Sequence, residues 1–266
     1  MIVKKYAVAV MAAAFLVAGI TSPAQAQETG TELVGPGGSF KIDQTQQPST
    51  DSQRLSAGLG SDAENSEIVL SSSINDAASA SESYSLALPE SATAQVITND
   101  QNEESVLLLN GAGELLGGIA SGDVIDASGN VVPTSFTVNG TTITQTLQNT
   151  DESGVAYPVR MSALAATEWY SAGWVTTDSR GYIVNAAPTA LGKQQIAWNT
   201  HYIHVAHLKS ILGTQAYRVN DNIEQQFVCH VVGGWLDSGV YNMESWQPSL
   251  PWQQIANPWD RCNRIK

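Results

Sequence analysis

Basic residues are scarce. The 266-residue chain carries 12 Lys and Arg against 25 Asp and Glu, and none at all between Arg54 and Arg160. A formal charge of -13 is repelled by phosphate backbones and anionic lipid surfaces, which argues against nucleic acid and membrane surfaces as partners. Several chemical signatures are also missing. The chain has no Cys-x-x-Cys pair, Gly-rich phosphate loop or Gly-x-Ser-x-Gly elbow, and Asp221 and Asp237 lack the spacing of an EF-hand loop. The reading is therefore no metal and no cofactor. Cysteine occurs only twice, as Cys229 and Cys262.

One apolar run stands near the start. Lys4 and Lys5 precede an uncharged stretch from Ala7 to Ile20, and Ala24-Gln25-Ala26 follows. A positive start, a short apolar core and an A-x-A ending have the form of a cleavable signal peptide. The run is shorter than the about 20 residues that span a bilayer. The expectation is cleavage after Ala26 and a secreted, extracellular protein with no membrane attachment. Two cysteines entering an oxidising compartment favour a Cys229–Cys262 disulfide over a metal site or a nucleophile.

Residues 27–81 are rich in Ser, Gly, Gln, Asp and Thr, with Phe40 the single aromatic. That composition predicts a disordered stalk, with Ile68-Val69-Leu70 at most a transient strand. Residues 82–160 show β patterning. Tyr84, Leu86 and Leu88 alternate, Val106 to Leu109 form an apolar run, and Asn139-Gly140 favours a two-residue hairpin turn pairing Phe136 with Ile143 and Val138 with Thr141. Four to six antiparallel strands are expected there.

Residues 161–266 hold all seven Trp and all four His. Asp178-Ser179-Arg180-Gly181 reads as a hairpin turn. Pro188-Thr189 opens a helix running through Ile196, Ile203, Ala206 and Ser210 to a C-cap at Gly213, and a shorter helix or strand covers Asn222 to Val232. The fold class is an all-β antiparallel N-terminal module followed by a small α+β C-terminal domain with one disulfide.

The β region carries Asp126-Ala127-Ser128-Gly129, Val132-Pro133-Thr134, Phe136-Thr137-Val138-Asn139-Gly140 and Tyr157-Pro158-Val159. The C-terminal region carries Gln226-Phe227-Val228-Cys229-His230, Asn242-Met243-Glu244-Ser245-Trp246-Gln247-Pro248 and Cys262-Asn263. Together these resemble a pair of modules in secreted actinobacterial proteins: a β module ending in Tyr-Pro-Val, and an uncharacterised domain with Gln-Phe-x-Cys-His, Asn-Leu-Glu-x-Trp-Arg-Pro and Cys-Asn motifs. Met243 replaces Leu of that pattern and Gln247 replaces Arg. The resemblance implies domain boundaries and the cysteine pair. It implies no activity.

Candidate chemistry is sparse. His230 and Glu244 form a possible hydrolytic acid/base pair, against the plainer reading that Glu244 satisfies backbone N–H groups or pairs with Arg261. His201, His204 and His207 recur every third residue and sweep an arc of about 120° on a helix. Metal-binding helices more often use i, i+4 pairs, which leaves a polar or half-buried face as the simpler account. Trp235, Trp246, Trp252 and Trp259 are candidate ligand-stacking residues, set against the plainer role of core packing. The leading functional reading is a binding or interaction module whose partner is a cell-wall polymer or another extracellular protein. The alternatives are a secreted hydrolase using His230 and Glu244, and an antibacterial effector with residues 160–266 as its active part. Whether it is an enzyme stays open, with the balance against.

Overall fold

The structure, a computed structural model, describes residues 30–45, 66–148, 154–233, 239–257, 259 and 262. The expected signal peptide and its cleavage site, residues 46–65 of the expected stalk, and Trp235 and Arg261 lie outside the described residues. In chain order the strands are β1 (Thr31–Gly35), β2 (Gly38–Gln44), β3 (Glu67–Ile74), β4 (Ser81–Ala87), β5 (Thr93–Thr98), β6 (Glu104–Leu109), β7 (Leu115–Ser121), β8 (Thr134–Asn139), β9 (Thr142–Leu147), β10 (Val159–Ala166), β11 (Tyr170–Asp178), β12 (Gly181–Pro188) and β13 (Tyr241–Glu244). The helices are α1 (Ala190–Gln194), α2 (His201–Leu212), α3 (Asp221–Val232) and α4 (Trp252–Ile255). The fold is mostly antiparallel β with few helices and one disulfide.

An outer sheet, β1-β2-β4-β9-β8, faces a middle sheet, β3-β10-β7-β6-β5. Leu33, Phe40, Ile42, Tyr84, Leu86, Phe136 and Ile143 from the outer sheet meet Ile68, Leu70, Val106, Leu108, Leu116, Ile119, Ala163 and Ala165 from the middle one. β4 explains the outer sheet's form. Its sequence Ser-Glu-Ser-Tyr-Ser-Leu-Ala alternates, so Tyr84 and Leu86 turn inward while Ser83 and Ser85 stay half-exposed, as period-2 geometry requires.

The middle sheet is covered on both faces. β7 and most of β6 and β10 are apolar without alternation and buried along their length. Their second face, with Leu107, Leu115, Ala120, Leu164 and Ala166, packs on Trp169, Leu191, Ile196, Ile203 and Phe227 of the C-terminal half. Continuous apolar strands are what a doubly covered sheet needs. One core therefore crosses residue 160, and the expected boundary between 160 and 161 falls inside β10.

The stalk reading is overturned for its described residues. β1 and β2 form a hairpin, β2 pairs with β4, and β3 pairs with β10 along its whole length. Leu33, Phe40, Ile42, Ile68 and Leu70 are buried. Composition judged this segment as if it had to supply its own core. Instead its few apolar side chains, each stabilising by about 1.5–3 kcal/mol on burial, dock on strands supplied from elsewhere.

Within residues 82–160 the described strands β4 to β9 give the expected antiparallel set. The β8–β9 register differs from the expected one. Val138 pairs with Ile143 and Phe136 with Gln145, because Gly140 and Thr141 form the turn and Asn139 pairs with Thr142. The partner shifts by two residues, so each side chain keeps its face. The Asp178–Gly181 turn forms as read. The long helix does not run unbroken: Thr189 caps α1 by accepting from the Gly192 N–H at 3.0 Å, the chain leaves helical geometry at Gln195, and α2 starts at His201.

Candidate functional site

The break between α1 and α2 sends a side-chain amide into the core. Gln195 is fully buried. Its Nε2 donates to the Val106 carbonyl of β6 at 2.8 Å, and its Oε1 accepts from the Trp169 indole N–H at 2.6 Å. Gly118 makes room for it: a Cβ there would collide with the Gln195 amide. Its backbone carbonyl accepts from Thr200 Oγ1 at 3.1 Å and lies 3.2 Å from His204 Nε2. A carbonyl only accepts, so His204 carries its proton on Nε2 and its Nδ1 accepts from the Tyr170 hydroxyl at 2.7 Å. Trp169 stacks on the His204 ring at 3.9 Å.

One turn on, His207 Nδ1 lies 3.4 Å from the Trp169 backbone N–H, which donates to it. His207 is therefore also the Nε2–H tautomer, and that Nε2 is buried with no hydrogen-bond partner. Burial, which penalises the imidazolium, lowers His204 to about 3 and His207 to about 4. Burial also pushes the Tyr170 hydroxyl well above its ordinary value, with Tyr241 beside it adding to the effect. At neutral pH all three are uncharged. His201 is half-buried, edge-on to Trp252 at 5.8 Å between ring centres. The three histidines are not one polar face, because His204 and His207 turn into the core. Among the described residues no group of three or more His, Cys, Asp or Glu is placed to hold a metal.

A cleft of about 200 Å³ opens beside His207, between the β1–β2 turn and α2. Leu115, Thr167, Ile203 and His207 are its buried residues, whereas Pro36, Glu114, Ala206 and Ser210 are exposed at its rim. Ile203, Ala206, His207 and Ser210 follow i, i+3, i+4, i+7 spacing, so one stripe of α2 forms a wall. The opposite wall is close because Gly37 has no side chain; a Cβ there would strike the Leu115 carbonyl. Glu114 also accepts from Asn110 Nδ2 at 3.1 Å.

His230 and Glu244 have separate partners. Gln226, on α3, accepts from the Glu244 N–H at 2.8 Å and donates to the Glu244 carbonyl at 3.0 Å. Asn222 donates to the Gln247 carbonyl at 2.8 Å. His230 Nε2 reaches the Asn242 carbonyl at 3.3 Å, and its ring stacks on Tyr241. α3 amides thus satisfy the outward backbone groups of β13, an edge strand, in place of another strand. The Glu244 carboxylate accepts from Gln247 Nε2 at 2.6 Å. No hydrogen bond or ion pair joins His230 to Glu244 among the described residues. Cys229 and Cys262 are bonded to each other.

Among the described residues the candidate tryptophans have separate surroundings. Trp246 is half-buried beneath the Arg180 guanidinium, 4.1 Å from its ring centre. Trp252 is half-buried against the shared core. Trp259 is 92% exposed. The cleft residues Glu114, Thr167 and His207 carry no sequence pattern of their own; they come from three distant segments. Gln195 has no sequence signal beyond the apolar pair Ile196-Ala197 that follows it.

No protein-family model matches the chain, and no curated protein or solved structure matches it.

Proposed function

We propose that the chain is exported through a cleavable signal peptide and acts outside the membrane as a binding module. One observation carries the binding reading: the concave cleft beside α2, which combines the buried Leu115 and Ile203 with the exposed Glu114 and Ser210 at its rim. Binding sites combine apolar surface with a few placed polar groups in this way. The Cys229–Cys262 bond supports the extracellular location, because disulfides persist in oxidising compartments. The motif residues Gln226, His230, Asn242 and Glu244 clamp α3 to β13, which favours a scaffold role over hydrolysis for them. We read residues 167–262 as an α+β unit built on the sandwich, of the type found with a Tyr-Pro-Val β module in secreted actinobacterial proteins.

The partner we propose is a cell-wall polymer. Purified mature protein should be retained on isolated cell walls, and N-terminal sequencing of the exported chain should begin at Gln27. Failure to bind cell walls, or a start at Met1 in the medium, would contradict this reading.

A further inference from the structure

Glu82 interrupts the apolar face of β4. It points inward with Tyr84 and Leu86, between the two sheets of the sandwich, and is 6% exposed. Directly opposite it on β9 is the fully buried Gln145. Two apolar clusters meet at this level: Tyr84 and Ile143 belong to one, Ala80 and Leu147 to the other. Glu82 Oε1 is buried with no hydrogen-bond partner. So is Ser72 Oγ of β3, which stands beside the Glu82 carboxyl on the opposing sheet. A carboxylate in such a place lacks the counter-charge and the hydrogen bonds that make a buried charge tolerable.

Among the described residues no cation compensates it. Tyr84, on the same strand, donates its hydroxyl to Gln145 Oε1 at 3.1 Å, and Gln145 donates to the Ser121 hydroxyl and the Ser162 carbonyl. β9 has no charged residue. On β2, Lys41 and Asp43 pair with Ala87 and Ser85, on the outward face of the sheet. On β10, Arg160 pairs with Ser73 and is exposed on the outward face, while Met161 pairs with Ser72. Asp126 is taken up by the Ser128, Asn130 and Ala156 N–H groups. The cluster around Leu147 adds the Tyr157 phenol and no charge. Burial raises the Glu82 carboxyl above its ordinary value, and the Ser72 hydroxyl and Ser83 N–H offset this only in part. We propose that Glu82 is a proton-operated catch between the two sheets: the neutral acid donates to Ser72 Oγ and closes the sandwich at this level, and the anion leaves an unpaired charge there and loosens it. An unfolded Glu carboxyl titrates at about 4.3. Below that pH both states hold the proton and the catch is closed. As pH rises past it the unfolded chain gives up its proton first, so the sandwich loses stability until the folded carboxyl ionises too. This response is opposite in sign to that of a buried neutral imidazole.

The test uses the full disulfide-bonded chain. Carbon-13 NMR of the glutamate carboxyls, with the Glu82 signal assigned by its loss in Glu82→Gln, should show Glu82 titrating with a midpoint above about 4.3. This measurement is made on the unaltered protein and stands even if the variant folds poorly. Glu82→Gln keeps the shape of the neutral acid and cannot ionise. Amide hydrogen exchange in β3 and β4 then reads the catch itself. The ratio of the unaltered protein's exchange rate to that of Glu82→Gln should rise by at least about threefold between pH 4 and pH 7.5, because only the unaltered chain loses a proton there. Comparing the two chains at each pH cancels the intrinsic pH dependence of exchange. A Glu82 midpoint at or below the ordinary value, or a ratio that does not change with pH, overturns the proposal and leaves Glu82 as a polar filler of the sandwich.

Discussion

The sandwich and the C-terminal half are held together by different chemistry. The sandwich interior is mostly apolar: Leu33, Phe40, Leu86, Leu108, Leu116 and Ile119 interdigitate between two sheets, and its buried polar side chains are Glu82, Ser105, Asp126, Gln145 and Ser162. The C-terminal half buries Gln195, Thr200, His204, His207, Asn222, Gln226 and His230. Most of these bond backbone groups that the helix break and the short edge strand β13 leave unpaired. Apolar packing tolerates volume-conserving exchange, whereas a buried amide or imidazole is tied to one partner geometry. The first half is therefore specified by pattern, and the second by particular atoms.

The largest expected effect separates the halves by pH. His204 and His207 are depressed in the folded state below the about 6.5 of an unfolded imidazole. Below that pH the unfolded chain takes up protons that the folded chain refuses. Their contribution is complete above pH 6.5 and is lost as pH falls toward 4 and then 3. Two such groups give a slope of roughly 2 to 3 kcal/mol per pH unit between pH 6 and 4.5. Denaturant unfolding followed by tryptophan fluorescence reports this half alone, since all seven Trp lie in it. A flat profile over that range would show that the imidazoles are not buried neutral.

Removing the disulfide comes next. It closes a separation of 33 residues, and in the loop-entropy account its loss costs about 3–4 kcal/mol. The variant with both Cys229→Ser and Cys262→Ser should show that loss in the tryptophan signal and little of it in the far-ultraviolet β signal of the sandwich. Alkylation of the native unreduced protein should label neither cysteine. An equal shift in both signals would mean that the shared core couples the halves into one unit.

A paired substitution sharpens the contrast in core chemistry. Gln195→Leu strands the Trp169 indole N–H and removes a donor from the Val106 carbonyl, at a cost of about 1–3 kcal/mol for the indole left unpaired. Leu108→Met in the sandwich keeps volume and polarity and should cost under about 1.5 kcal/mol. Equal losses would erase the distinction. The smallest effect is local: Thr189→Ala removes the cap on the Gly192 N–H and should lower stability by about 1 kcal/mol, read from the unfolding midpoint.

The same contrast explains what was legible in the sequence. Alternation at Tyr84, Leu86 and Leu88 and the Asp178–Gly181 turn are local signals, and they form as read. The cap at Thr189 and the end of α2 before Gly213 are local as well. β1, β2 and β3 were hidden because their burial comes from partners up to about a hundred residues away, and residue composition carries no trace of those partners. The Cys229–Cys262 bond was legible from the even count and from the oxidising compartment that the signal-peptide reading implies. The site was not. His204 and His207 sit at helical spacing that says nothing of which way each ring faces, and the direction is set by the bend at Gln195. His230 and Glu244, singled out by residue type, belong to the clamp between α3 and β13.

Neutral imidazoles of fixed tautomer anchor the C-terminal half. Long-range proton–nitrogen NMR of histidine-labelled protein at pH 5 tests it most directly. Two imidazoles, assigned through His204→Gln and His207→Gln, should be uncharged, with the proton on Nε2 and none on Nδ1, and should stay so as pH falls from 7 to 5. Uptake of a proton by either ring with a midpoint near its ordinary value, or a proton on Nδ1 of His204, would show that these imidazoles are not buried neutral anchors.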